Sequence, residues 1–193
     1  MPLINGITLD KAINENLLTE NEIKNIFIKI LHLINKLKEL PFNFQIGDLH
    51  EKNVIIDKNL NINIIDCDSF IINNKKLTID NQVIIGKYPN HYFNNQELKD
   101  NKTQLDYFCL LSMILNYVFK DIINTTSPVS FIKKHNEFSK LNYLIERLNN
   151  PKTFYLTEDD IDNIFNLKDK IIIKENPELE KELSRIRKIQ QKN

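Results

Sequence analysis

The chain has 193 residues, of which 41% are hydrophobic and 27% charged, with 26 basic and 26 acidic side chains and a net charge of zero. That length suits one domain able to bury a core, and the balanced charge leaves no electrostatic footprint for nucleic acid or an anionic membrane. Residues 1–20 lack the basic start and continuous apolar core of a signal peptide. No apolar run reaches transmembrane length. Cys67 and Cys109 read as reduced, part-buried residues rather than a disulfide or metal site, so a cytoplasmic protein is expected.

Met1 to Leu9 shows little helical period. Thr19-Glu20-Asn21-Glu22 is a capping box, with an acid three residues after the threonine. Ile23, Ile26, Phe27, Ile30, Ile34 and Leu37 follow at helical spacing and predict a long amphipathic helix ending near Leu40, before Pro41. His32 within it reads as a plain helix residue.

The stretch Gln45 to Phe70 carries the chemistry. Val54-Ile55-Ile56 and Ile62-Ile64-Ile65 flank a polar turn at Asp57 to Asn61, which predicts a tight β-hairpin. A polar loop holding Asp48 and Asn53 leads into the first strand, and Asp66 and Asp68 leave the second. Oxygen-bearing side chains therefore converge on one end of the hairpin, which suits a hard cation such as Mg²⁺.

Ile71 to Ile79 reads as a second small hairpin turning at Asn73-Asn74, and residues 80–104 read as polar and irregular. Asp106 then opens a nearly all-apolar helix, Tyr107 to Leu115, that should be buried. An acid opening a buried helix must be satisfied there. Further helices are predicted from Ser127-Pro128, over 137–149, after Thr157 and from Asn176-Pro177.

Asp48-Leu49-His50-Glu51-Lys52-Asn53 resembles the catalytic loop of the protein kinase-like superfamily, Asp-x4-Asn, and Asp66 follows Asn53 by the thirteen positions common there. The resemblance implies a mainly α (α+β) fold: a kinase-like C-lobe with small β-hairpins beside the catalytic loop and no N-lobe. It implies one domain over 1–193, with a hinge-like start at 1–10 and helices at 11–40. The catalytic loop and metal hairpin occupy 45–70, an activation-like segment 71–104, and helices 105–193. It implies Asp48 as the acceptor of the attacking hydroxyl's proton and Asn53 and Asp66 as Mg²⁺ ligands. Asp68 and His50 would offer a second metal or phosphate contact. Met1, Leu3, Gly6, Ile55 and Ile65 would border ATP, and Asp106 and Glu97 would support the site, Asp106 by accepting backbone N–H bonds from the loop around Gly47 to Leu49 and Glu97 paired to Arg147.

The sequence departs from that pattern in informative places. Ile46-Gly47 stands where kinases have His-Arg, Asp66-Cys67-Asp68 where most have Asp-Phe-Gly, and His50 where they have Lys. Gly-Asp-Leu-His resembles small-molecule kinases of the aminoglycoside and choline type. Only three glycines occur in the chain, too few for a Gly-rich phosphate loop. The expected activity is therefore phosphotransfer to a protein hydroxyl, with ATP and Mg²⁺, when a separate N-lobe or partner chain completes the site. The alternatives are a pseudokinase-type binding module and a small-molecule phosphotransferase remnant.

Overall fold

A computed structural model describes residues 4–66, 70–72, 75–76, 104–119, 136–150 and 152–175. Over these residues the chain is mixed α+β, with helices carrying most of the core and two small antiparallel sheets beside them in the sequence. None of the described helices is long and apolar enough to cross a membrane. The expected helices from Ser127 and from Asn176, the turn at Asn73-Asn74 and the activation-like residues 77–103 lie outside the described residues.

Strand β1 (Ile7–Thr8) leads directly into helix α1 (Leu9–Asn14), where the Thr8 side chain accepts the Lys11 N–H as N-cap. The helix stops in a left-handed residue: Asn16 has φ 52, and Leu17 N–H reaches back to the Ala12 carbonyl at 3.0 Å. That 6→1 bond is the Schellman ending. Helix α2 (Glu20–Lys38) begins with the expected capping box, in which Thr19 and Glu22 satisfy each other's backbone N–H groups. Its Ile23, Ile26, Phe27, Ile30, Leu31 and Ile34 are all buried. Fully burying one such side chain is worth about 1.5–3 kcal/mol, so this stripe outweighs any cap.

Strand β2 (Phe44–Gln45) follows, then a 3₁₀ turn at Glu51–Asn53 and the expected hairpin of β3 (Val54–Ile56) and β4 (Ile62–Ile64). The register pairs Val54 with Ile64 and Ile56 with Ile62, and β1 adds to the far side of β3. One carboxylate organises the turn. Asp57 accepts from Asn59 N–H, Asn61 N–H and Asn61 Nδ2 at 2.8–2.9 Å, which holds its carboxyl below the usual range and Leu60 at φ 59. Lys29 of α2 donates to the Leu60 carbonyl and ties the turn to the helices.

Strands β5 (Ile71–Ile72) and β6 (Lys75–Lys76) form the second hairpin, which β2 extends into a sheet. The sequence did not mark β2, because two residues carry no readable period. Helix α3 (Leu105–Val118) lies in the centre and buries all but two of its residues, Asn116 and Tyr117. The expected helix over 137–149 divides into a 3₁₀ stretch at Asn136–Leu141 and helix α4 (Asn142–Leu148). Helix α5 (Glu158–Glu175) is capped by Thr157, which exchanges bonds with Asp160. Phe27, Tyr117 and Phe165 meet with ring centroids 5.8–6.3 Å apart and join α2, α3 and α5.

Gly6 marks the closest approach in the β1–β3 sheet. A Cβ there would lie 2.4 Å from the Ile56 carbonyl oxygen and 2.7 Å from Ile55 Cγ2. Both are held by the hairpin, so neither can yield cheaply. Gly6→Ala should lower the urea-unfolding free energy by about 1–3 kcal/mol, the usual cost of overpacking. An unchanged midpoint would show that β1 shifts freely.

Candidate functional site

Asp106 sets the geometry of the site. Its carboxylate is fully buried and accepts Ile46 N–H at 2.9 Å (Oδ2) and Gly47 N–H at 3.1 Å (Oδ1), with a longer 3.1 Å contact from Ile46 to Oδ1. Gly47 has φ 81, a left-handed conformation open to glycine. Successive N–H groups converge on one anion where the backbone turns this way. The donors are therefore Ile46 and Gly47, one step earlier than the expected Gly47 to Leu49. Asp106 stands in the first turn of α3, where the helix dipole also favours an acid.

The next residue is Asp48, so its backbone is fixed immediately upstream. It is fixed downstream as well, because Asn53 Nδ2 donates to the Asp48 carbonyl at 3.0 Å. Asn53 is buried, its N–H bonds the His50 carbonyl at 2.9 Å, and its own carbonyl accepts Ile65 N–H at 2.9 Å. A chain of bonds thus runs from Asp48 through Asn53 to the residue before Asp66. Asp66 is exposed and has φ 62. A non-glycine residue in that region is uncommon, although Asp is among those that tolerate it, and such residues gather at functional sites.

His50 and Asp48 face each other, with Nε2 and Oδ2 3.7 Å apart and side chains only 17% and 16% exposed. His50 Nδ1 accepts the Lys52 N–H at 3.2 Å and so caps the 3₁₀ turn. Of the other expected site residues, Met1, Leu3, Asp68 and Glu97 lie outside the described residues. Arg147 is engaged by Asp160 at 2.5 Å and the Tyr155 carbonyl, and it stacks on the rings of Tyr143 and Tyr155. Ile55 pairs with Thr8 and Asn63 within the sheet.

A cavity of about 830 Å³ lies at the opposite end of the hairpin, bordered by Gly6, Leu17, Ile56, Asp57 and Leu60. Gly6 therefore lines a hollow whose border includes none of Asp48, Asn53 or Asp66. Among the described residues no group of three or more His, Cys, Asp or Glu side chains could hold a metal ion. Mg²⁺ asks for less, because it keeps several waters and takes one or two carboxylates. Asp66 and the Asn53 amide are donors of the type it takes: Nδ2 of Asn53 is used inward, which leaves its oxygen as an acceptor, and Asp66 is exposed.

Burial pushes the Asp106 carboxyl above the usual range, against the opposing pull of the Ile46 and Gly47 donors and the Lys38 ammonium. Lys38 itself is lowered by burial, with Asp106 opposing, and its Nζ is buried with no hydrogen-bond partner among the described residues. Burial also pushes the Cys109 thiol well up, which makes it an inert core residue. Sequence reading missed Lys38 and Gln45. Gln45 is buried and its Oε1 accepts the Leu105 N–H at 3.2 Å, standing in for a cap on α3. An amide just before a loop carries no signal for such a role.

The chain matches no family model, no curated protein and no solved structure.

Two variants probe Asp106. Asp106→Ala leaves the Ile46 and Gly47 donors unpaired and should cost about 1–3 kcal/mol or more in urea unfolding. Asp106→Asn tests the ionisation. A carboxyl raised in the fold binds its proton more tightly folded than unfolded. The folded state then holds more protons in that interval, and stability falls as pH rises through it. The wild type should show this fall above the ordinary carboxylate range, and Asp106→Asn should be flatter in the same urea series. Parallel profiles would show that Asp106 is not raised.

Proposed function

We propose that the chain is the catalytic lobe of a protein kinase-like phosphotransferase that uses ATP and Mg²⁺. One arrangement supports this reading. A buried helix-opening carboxylate, Asp106, holds the backbone entering Asp48, while Asn53 bridges Asp48 to Ile65, which follows β4 and immediately precedes Asp66. Asp48, Asn53 and the residue before Asp66 are thus tied together at one end of one hairpin. A surface turn has no need of a buried acid 58 residues downstream.

In this reading Asp48 accepts the proton of the attacking hydroxyl, as a general base positioned by its fixed backbone. Asn53 Oδ1 and the Asp66 carboxylate would hold Mg²⁺, which would supply charge neutralisation on the phosphates. The acceptor is a protein hydroxyl. Ile46-Gly47 leaves no arginine beside the base, so loop phosphorylation has no anchor there.

Positioning and charge stabilisation carry nearly all phosphoryl-transfer catalysis. With three glycines in the chain, none in a Gly-rich run, the β- and γ-phosphates need donors from a second lobe, which a partner chain can supply. Each missing charge contact typically costs about 10²–10³ in rate.

The purified chain should therefore bind Mg²⁺-ATP more weakly than micromolar and transfer radiolabel slowly. Amide resonances of Asn53 and Asp66 should shift on titration with Mg²⁺-ATP, and Asp66→Ala should remove the response. Silence at both residues with saturating Mg²⁺ and nucleotide would overturn the reading in favour of a non-catalytic binding module. Micromolar binding with brisk transfer, lost in Asp48→Ala, would show that the chain needs no second lobe.

A further inference from the structure

We propose that His50 is a positioning residue for Asp48, directing a protonated Nε2 at Asp48 Oδ2 and leaving Oδ1 to take the hydroxyl proton. This rests on the reading of Asp48 as a base. The geometry that assigns the role does not depend on that reading.

The tautomer follows from the 3₁₀ turn. His50 Nδ1 accepts the Lys52 N–H at 3.2 Å, and a nitrogen that accepts an N–H carries no proton of its own. The neutral ring therefore bears its proton on Nε2, an assignment made from the hydrogen bond rather than from a visible hydrogen. Nε2 lies 3.7 Å from Asp48 Oδ2. That is outside hydrogen-bond range but within reach of a small side-chain rotation, and catalytic bonds are commonly long before a complex forms.

The backbone on either side of this pair is held by hydrogen bonds. Asp106 holds Gly47 N–H, Asn53 holds the Asp48 carbonyl, and the His50 carbonyl holds Asn53 N–H. None of these bonds uses the Asp48 side chain, whose orientation is left to its other contacts. Both side chains are about five-sixths covered, so water competes poorly for that contact and an N–H aimed at one oxygen is worth more than in solvent. His50 in this state has no spare lone pair for a metal, and it cannot relay a proton away from Asp48. Its part is to donate, and so to present one oxygen of the base rather than two.

The test is a long-range ¹H–¹⁵N correlation spectrum of the uniformly labelled full chain at alkaline pH, with the His50 signals assigned by their loss in His50→Gln. The expected result is the Nε2–H tautomer for His50, with an Nε2–H resonance that is lost or strongly displaced in Asp48→Ala. Asp48→Asn provides an isosteric control should the alanine variant fail to fold: it keeps an acceptor oxygen and should displace the resonance without losing it. An Nδ1–H tautomer, or a resonance indifferent to both Asp48 variants, would overturn the proposal. The measurement needs no nucleotide. Absence of Mg²⁺-ATP response would remove the role of Asp48 without altering the tautomer, whereas an Nδ1–H tautomer would remove the role of His50 and leave the kinase-like reading standing.

Discussion

The buried carboxylate of Asp106 is the contact on which the rest of the site depends. A charge of that kind survives inside a protein only when donors surround it. Here the donors are the N–H groups of Ile46 and Gly47, assisted by the nearby Lys38 ammonium. The dependence is mutual. Without the acid, two buried N–H groups lose their acceptor; without the left-handed turn at Gly47, the N–H groups do not converge on it. Helix α3 and the largely buried loop after β2 are therefore locked in one relative position, and the loop carries Asp48.

The hairpin has two ends with different tasks. At the turn, Asp57 consumes its carboxylate on three local donors, and Lys29 fastens the result to α2. That end is finished structure. At the other end the bonds are made by backbone groups and by the inward nitrogen of Asn53, so the side-chain oxygens of Asp48 and Asp66 carry no structural hydrogen bond among the described residues. The two ends show why an acidic side chain by itself says little about function. What matters is whether the fold has already used it.

The helices supply stiffness beneath this loop. The ring cluster of Phe27, Tyr117 and Phe165 binds three helices together, and Lys24 with Asp162 and His32 with Glu158 fasten α2 to α5 along the surface. The exposed pairs contribute little individually, and the shared apolar core is what fixes α3 and hence Asp106. Arg147, held between two tyrosine rings and bonded to Asp160, closes the same assembly at its far side.

Much of this was legible in the sequence because it is local. The capping box at Thr19, the stripe of α2, the β3–β4 hairpin with its polar turn and the all-apolar helix opened by Asp106 each follow from spacing and from the needs of neighbouring backbone groups. Asp48, Asn53 and Asp66 were singled out by a hairpin that gathers their oxygens at one end and by a spacing that resembles the kinase-like pattern. Long-range contacts were decided only by the fold. They set which N–H groups Asp106 would take, that Gln45 would cap α3, that β1 and β2 would join two different sheets, and that His50 would face Asp48. Two-residue strands have no period to read, and a buried polar partner is chosen by packing from many candidates alike in sequence. Sequence spacing named the candidate residues, and tertiary packing chose which of their atoms meet.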